Sequence, residues 1–191
     1  ENLLMAALLV ISSGCKESEV FELLETIKPV RGRMELAATR RNGASVYVDY
    51  AHTPEAIEVA LKSIKPHILG KLIVIIGAGG ERDEGKRPLM GLSAEKNSDF
   101  VIITDDNPRN EDPQLIHQMI KNGIKDKNKV MVIGDRAEAI LKAVDLLGVG
   151  DCLLIAGKGH ETEQFIGENI FPFDDFEQAS LSVSSLDGIE R

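Results

Sequence analysis

Two stretches of this chain are apolar almost without interruption: Lys71 to Ile76, and Cys152-Leu153-Leu154-Ile155-Ala156. A strand of that kind cannot face solvent on alternate residues. It must be covered on both faces, as parallel sheets flanked by helices are. Ser45 to Tyr50, Phe100 to Thr104 and Lys129 to Ile133 read as further strands of the same sheet. Helical patterns separate them: Pro54 to Lys65, Pro88 to Asn97, Asp112-Pro113 to about Ile124, and a segment opened by the capping box Asp135-Arg136-Ala137-Glu138. In the first helix Ile57, Ala60, Leu61 and Ile64 share one face, and Thr53-Pro54 supplies an N-cap and a first helical residue. Repeated βα units on short connections predict a doubly wound, mostly parallel sheet with right-handed crossovers. Gln164 to Phe171 reads as a β-hairpin turning at Gly167-Glu168-Asn169, with a closing helix from about Asp174.

The opening of the chain differs. Asn2 to Ser13 and Glu17 to Ile27 read as two short helices, the second with Val20, Leu23, Leu24 and Ile27 on one face. Pro29-Val30-Arg31-Gly32-Arg33 reads as a linker, so a boundary is expected between 1–30 and 31–191. The first apolar run is too short for a bilayer span, and a chain entering a helix directly from Glu1 reads as part of a longer protein. At 191 residues and 43% hydrophobic content a packed core is expected without staples. A formal charge of −9 with no basic stripe argues against a general nucleic-acid binder. Cys15 and Cys152 are far apart in different contexts, which suits a reduced, cytosolic protein.

Chemistry is expected in the loops that leave the strands, since open parallel sheets bind ligands at their carboxyl edge. The loop Thr104-Asp105-Asp106-Asn107-Pro108-Arg109-Asn110-Glu111-Asp112-Pro113 stands out. Pro108 restricts its own φ and that of Asn107, and Arg109 then offers a planar fork of donors suited to a carboxylate. Gly77-Ala78-Gly79-Gly80 lacks the spacing of a dinucleotide fingerprint, and Gly157-Lys158-Gly159 lacks the ending of a P-loop. His52 and His160 have no metal-ligand spacing, so no metal site is expected. Glu111, Asp112 and Asp83 read as caps and surface charges, and Arg82, Lys86 and Arg87 as a solvated basic face. Arg82 and Arg109 on neighbouring strand ends, with Glu161 on another, supply partners for both a carboxylate and an ammonium, as holding an amino acid requires.

Five motifs occur in order: Gly32-Arg33-Met34-Glu35, Asp49-Tyr50-Ala51-His52-Thr53-Pro54, Gly85-Lys86-Arg87-Pro88-Leu89-Met90-Gly91, Asp106-Asn107-Pro108-Arg109 and Ala156-Gly157-Lys158-Gly159-His160-Glu161. Together they resemble the carboxy-terminal domain of the Mur ligases, along essentially the whole chain. The resemblance implies a Rossmann-like α/β domain at 31–191 that binds an amino acid, preceded at 1–30 by the last helices of a central ATP-binding domain. It implies a bacterial, cytoplasmic and monomeric ligase. With ATP and Mg2+, such an enzyme joins an amino acid to UDP-N-acetylmuramoyl-L-alanyl-D-glutamate through an acyl phosphate. The P-loop and metal ligands of the family are absent from this sequence, so the chain alone is expected to be inactive. The Asp-Asn-Pro-Arg form resembles members selecting meso-diaminopimelate. By that likeness Arg82, Asp106, Asn107, Arg109, Gly157 and Glu161 would bind the amino acid, while Arg33, Asp49, His52 and Asn2 would meet the nucleotide. A lysine-adding member and a non-catalytic binding module are the alternatives.

Overall fold

The computed structural model describes residues 2–27 and 29–188. The chain divides into two compact units, 1–30 and 31–191. The first unit holds helices α1 (Asn2–Ser12) and α2 (Glu17–Leu24). The apolar face expected on α2 is only partly covered: Val20 is buried, whereas Leu23 and Ile27 are exposed. Two helices this short have too little surface to bury both stripes against each other.

The second unit is built on strands β1 (Glu35–Thr39), β2 (Ser45–Asp49), β3 (Leu72–Ile76), β4 (Phe100–Ile103), β5 (Val130–Val132) and β6 (Cys152–Ala156). Their order in the sheet is β1-β2-β6-β3-β4-β5, with β1 antiparallel to β2 and every other pairing parallel. The two apolar runs are the adjacent central strands β6 and β3, buried at every residue. Side chains alternate between two cores. Leu72, Val74, Ile76, Cys152, Leu154 and Ala156 face α3 (Pro54–Ile64), α4 (Lys86–Asn97) and α5 (Pro113–Asn122). Ile73, Ile75, Leu153 and Ile155 face α6 (Arg136–Asp145) and α7 (Asp175–Asp187). The helix after β3 therefore lies on one face and the helix after β6 on the other. That places the topological switch point between these two strands.

Helix ends follow their caps. Thr53, Asp112, Asp135 and Asp174 each accept backbone N–H bonds from the first turn of the helix they precede. Helix α4 begins at Lys86, two residues before the expected Pro88. Proline is tolerated there because the first turn has no intrahelical acceptor for its N–H groups. Strand β1 was not foreseen as a strand; its alanines carry little β signal. A separate antiparallel hairpin, β7 (Glu163–Ile166) with β8 (Asn169–Pro172), turns at Gly167-Glu168 as expected.

One buried ion pair ties the two halves of the second core together. Arg136 at the start of α6 and Asp175 at the start of α7 are both fully buried and joined by two hydrogen bonds of 2.7 Å. The same guanidinium donates to the carbonyls of Asp105 and Ala156, at the ends of β4 and β6. Burial opposes the charge of Arg136, yet the charge and hydrogen bonds of Asp175, with the nearby Asp106 and Glu161, together outweigh it and the guanidinium pKa is raised. Asp175→Ala leaves that cation without its counter-charge and is expected to cost about 3–5 kcal/mol of stability. A lowered urea midpoint, followed by far-UV circular dichroism, checks this; an unchanged midpoint refutes it.

Candidate functional site

A cleft of about 350 Å³ opens at the switch point, within the size range of small-molecule sites. Tyr50 and His52 reach it from the loop after β2, Gly77, Gly79 and Arg82 from the loop after β3, and Asp106, Asn107 and Arg109 from the loop after β4. Gly157 and Glu161 come from the loop after β6. All six residues expected to hold an amino acid thus line one cavity.

The loop after β4 is held less by Pro108 than by the hairpin. Strand β7 and the turn after it grip it at four points: the Gln164 amide donates to the Asp106 carbonyl (2.8 Å), Phe165 N–H to Asn107 Oδ1 (3.1 Å), Arg109 N–H to the Phe165 carbonyl (3.0 Å), and Gly167 N–H to the Arg109 carbonyl (2.7 Å). Arg109 itself adopts a left-handed φ of 53°, which a non-glycine residue holds only when its surroundings impose it. The stiffness read from proline alone therefore has a different source. The Arg109 guanidinium donates through Nη1 to the carbonyls of Gly80 (2.8 Å) and Asn107 (3.4 Å). That leaves Nε and Nη2 without a protein acceptor among the described residues, on a side chain that lines the cleft. Gly80 is required at this contact, because a Cβ there would sit 1.9 Å from the Pro108 carbonyl oxygen.

Three cations, Arg87, Arg136 and Lys158, are fully buried around the cleft. Arg87, expected on a solvated face, instead pairs with Glu111 at 2.8 Å and donates to the Gly79 carbonyl at 3.2 Å. Glu111, expected as a surface charge, also accepts from Glu81 N–H, and the Arg87 hydrogen bond and that backbone donor hold its pKa below the ordinary value. The pair locks the loop after β3 to the loop after β4. Lys158, which the sequence did not single out, donates to Asn107 Oδ1 (3.1 Å), Glu161 Oε2 (3.4 Å) and the Glu163 carbonyl (2.6 Å). Its one local sign was a lysine between two glycines directly after a wholly apolar strand. Arg82, by contrast, is exposed, with its Nη1 3.3 Å from its neighbour's carbonyl.

The acidic side of the cleft is Asp106 and Glu161. Asp106 is only 9% exposed. Burial pushes its pKa up, against the pull of Arg136 and Lys158. A Cβ on Gly157 would lie 2.6 Å from Asp106 Oδ2, so glycine at that strand end makes room for the carboxylate.

Of the residues expected near a nucleotide, three gather around Tyr50. The Arg33 guanidinium lies 4.7 Å from the Tyr50 ring centroid, and His52 packs edge-on at 4.6 Å with Nδ1 2.8 Å from the Tyr50 carbonyl. Asp49 accepts from Met34 N–H (2.7 Å) and Ala51 N–H (2.9 Å), so its carboxylate also fastens the linker to β2. Arg33 and His52 are exposed and able to meet phosphate or ribose oxygens. The side chain of Asn2 lies outside the described residues, and Asn2 belongs to the first unit. No group of three or more His, Cys, Asp or Glu side chains is placed for a metal among the described residues.

A doubly wound sheet with a charged cleft at its switch point defines a Rossmann-type α/β domain. Residues 32–159 match the family model described as Mur ligase, glutamate ligase domain. The chain belongs to the Mur ligase family. It is 47% identical over 185 residues to the UDP-N-acetylmuramoyl-L-alanyl-D-glutamate–2,6-diaminopimelate ligase of Bradyrhizobium diazoefficiens, covering 97% of this chain and 37% of that protein. The ligase of the same description from Coxiella burnetii is 49% identical over 160 residues, covering 84% of this chain and 32% of its own length. A solved structure of a ligase so described superimposes with a TM-score of 0.77 at 35% identity, over 97% of this chain and 38% of that one. The UDP-N-acetylmuramate–alanine ligase of Thermotoga maritima shares the fold, with a TM-score of 0.68 at 19% identity over 99% of this chain and 37% of that one. The chain thus spans well under half the length of these relatives.

The raised pKa of Asp106 fixes the sign of a pH effect. Between the unfolded and the folded pKa the native state binds more protons. Stability from this group is therefore complete below the unfolded value and lost as pH rises through the folded one. Asp106→Asn is expected to raise the melting temperature near pH 7 and to change it little near pH 4, read by calorimetry at both. A lowered melting temperature near neutrality refutes it.

Proposed function

We propose that this chain is the carboxy-terminal part of an ATP-dependent ligase that adds meso-diaminopimelate to UDP-N-acetylmuramoyl-L-alanyl-D-glutamate in peptidoglycan precursor synthesis. The observation that carries this reading is the meeting, in one cleft, of the Arg109 fork with the carboxylates of Asp106 and Glu161. An amino acid with a second α-amino acid centre presents both a carboxylate and an ammonium at its far end, and needs partners of both signs there. Arg109 and Asn107 take the distal carboxylate. Glu161, Asp106 and the Gly157 carbonyl take the distal ammonium, and exposed Arg82 takes the carboxylate beside the reacting amine.

ATP supplies the phosphoryl group that activates the D-glutamate carboxylate as an acyl phosphate. The near amine of the diamino acid attacks that carbonyl, and collapse of the tetrahedral intermediate forms the amide and releases phosphate. This domain's part is to orient the amine and shield the acyl phosphate from water. Arg33, Asp49 and His52 provide the nucleotide contacts, and Asn2 is a further candidate. The same reading takes Mg2+ as a cofactor of the complete enzyme, with its ligands expected in the central domain. As part of the same proposal, the enzyme acts in the bacterial cytoplasm as a monomer. Among the described residues no helix is long and apolar enough to cross a membrane.

A lysine-adding ligase is the competing reading. Lysine lacks the distal carboxylate, so binding it would leave the Arg109 fork desolvated and unpaired. Discrimination on the order of 10⁴-fold is within reach of a site built around such a group. In the complete ligase, Arg109→Ala is expected to raise the KM for meso-diaminopimelate on the order of a hundredfold while the KM for ATP stays nearly constant. Steady-state phosphate release, varying each substrate in turn, measures both. Equal changes in the two constants, or lysine used as well as diaminopimelate by the unaltered enzyme, would overturn the substrate assignment.

A further inference from the structure

We infer that Lys158 is a positioning residue that decides which end of the Asn107 carboxamide faces the ligand. Asn107 thereby acts as a donor that joins Arg109 on a carboxylate. The inference rests on the reading of the cleft as a diamino-acid site and deepens it.

A carboxamide offers an oxygen at one end and an NH2 at the other, and the two ends exchange by rotation about one bond. At Asn107 the network removes that freedom. Oδ1 accepts from the Lys158 ammonium at 3.1 Å and from Phe165 N–H at 3.1 Å, which occupies both of its lone pairs. Nδ2 then points to Glu161 Oε2 at 3.1 Å with one hydrogen. Its second hydrogen has no protein acceptor among the described residues, and Asn107 lines the cleft. Flipping the group would set an NH2 against an ammonium and a backbone N–H inside a buried network, where unpaired or opposed polar atoms are costly.

Lys158 suits this task because nothing else draws on it. Its side chain is fully buried, and its three N–H donors meet three acceptors: Asn107 Oδ1, Glu161 Oε2 and the Glu163 carbonyl. It does not line the cleft. It acts through Asn107 and Glu161, holding the donor for the carboxylate and the acceptor for the ammonium at a fixed separation. The ligand's two distal groups are thereby assigned: an acceptor group at Asn107 and Arg109, a donor group at Glu161.

The test is kinetic, on the complete ligase that carries this chain. Lys158→Met is expected to raise the KM for meso-diaminopimelate about tenfold or more with the KM for ATP within about twofold of its original value, as loss of a charge-assisted anchor predicts. Combined with Asn107→Ala it should add little, because the two act as one unit. Parallel rises in both KM values, or fully additive effects, would overturn the inference. Asn107→Asp gives a second readout should the methionine variant not fold. An acceptor in place of the donor should weaken diaminopimelate binding, whereas unchanged or tighter binding would show that Asn107 meets an ammonium and sink the proposal. An unaltered enzyme indifferent to diaminopimelate would instead refute the substrate reading, and this inference with it. An unchanged KM for diaminopimelate in Lys158→Met, with the substrate preference of the unaltered enzyme intact, refutes the inference alone.

Discussion

The pairing of Arg136 with Asp175 is the contact on which the geometry of the cleft depends. Two opposite charges are shut away from water with no exposure between them, a state helped by two further guanidinium donors that find carbonyls. Those carbonyls belong to Asp105 and Ala156, so the guanidinium sets the spacing of the two strand ends that carry Asp106 and Gly157. Arg87 with Glu111 repeats the arrangement on the neighbouring loop, and Lys158 with Glu161 on the next. Each buried cation joins chain segments far apart in sequence, and Arg136 and Lys158 leave the lining of the cleft to other residues.

This division of labour explains why the site combines rigidity with unspent polarity. Asp106 keeps a carboxylate in a place that disfavours its charge, and the Arg109 fork keeps donors unpaired by protein. Both are unfavourable to an empty cleft and favourable to a filled one. Under the proposed function a zwitterionic guest would restore what burial took away, and strain of this sort gathers at binding sites.

Much of the architecture was legible in the sequence, and for a physical reason. Strands such as Leu72–Ile76 and Cys152–Ala156 have no polar face, so their burial on both sides follows from composition alone. The loops at their ends, and the six candidate ligand residues in them, followed from the fold and the family motifs. What escaped were features set by tertiary context. Arg87 sits beside Lys86 in a charged, glycine-containing stretch that looks solvated, and only the fold buries it. Lys158 and Arg136 read as an ordinary loop lysine and a capping-box arginine, because no local pattern marks a long cation that will lie beneath its own loop. Strand β1 is an alanine-rich edge, where side-chain preference says little. Arg109 was expected to owe its constraint to the adjacent proline, but its left-handed backbone is imposed by β7, a strand more than fifty residues further along the chain.

That last attachment has an evolutionary corollary. The main chain of Arg109 is stitched on both sides to a two-stranded arm whose outer strand, β8, is exposed throughout. Drift in the length or turn of that arm would tilt the guanidinium while every residue touching the guest stayed the same. Homologues with identical pocket letters can therefore diverge in what they accept, and comparisons restricted to the pocket would miss the cause.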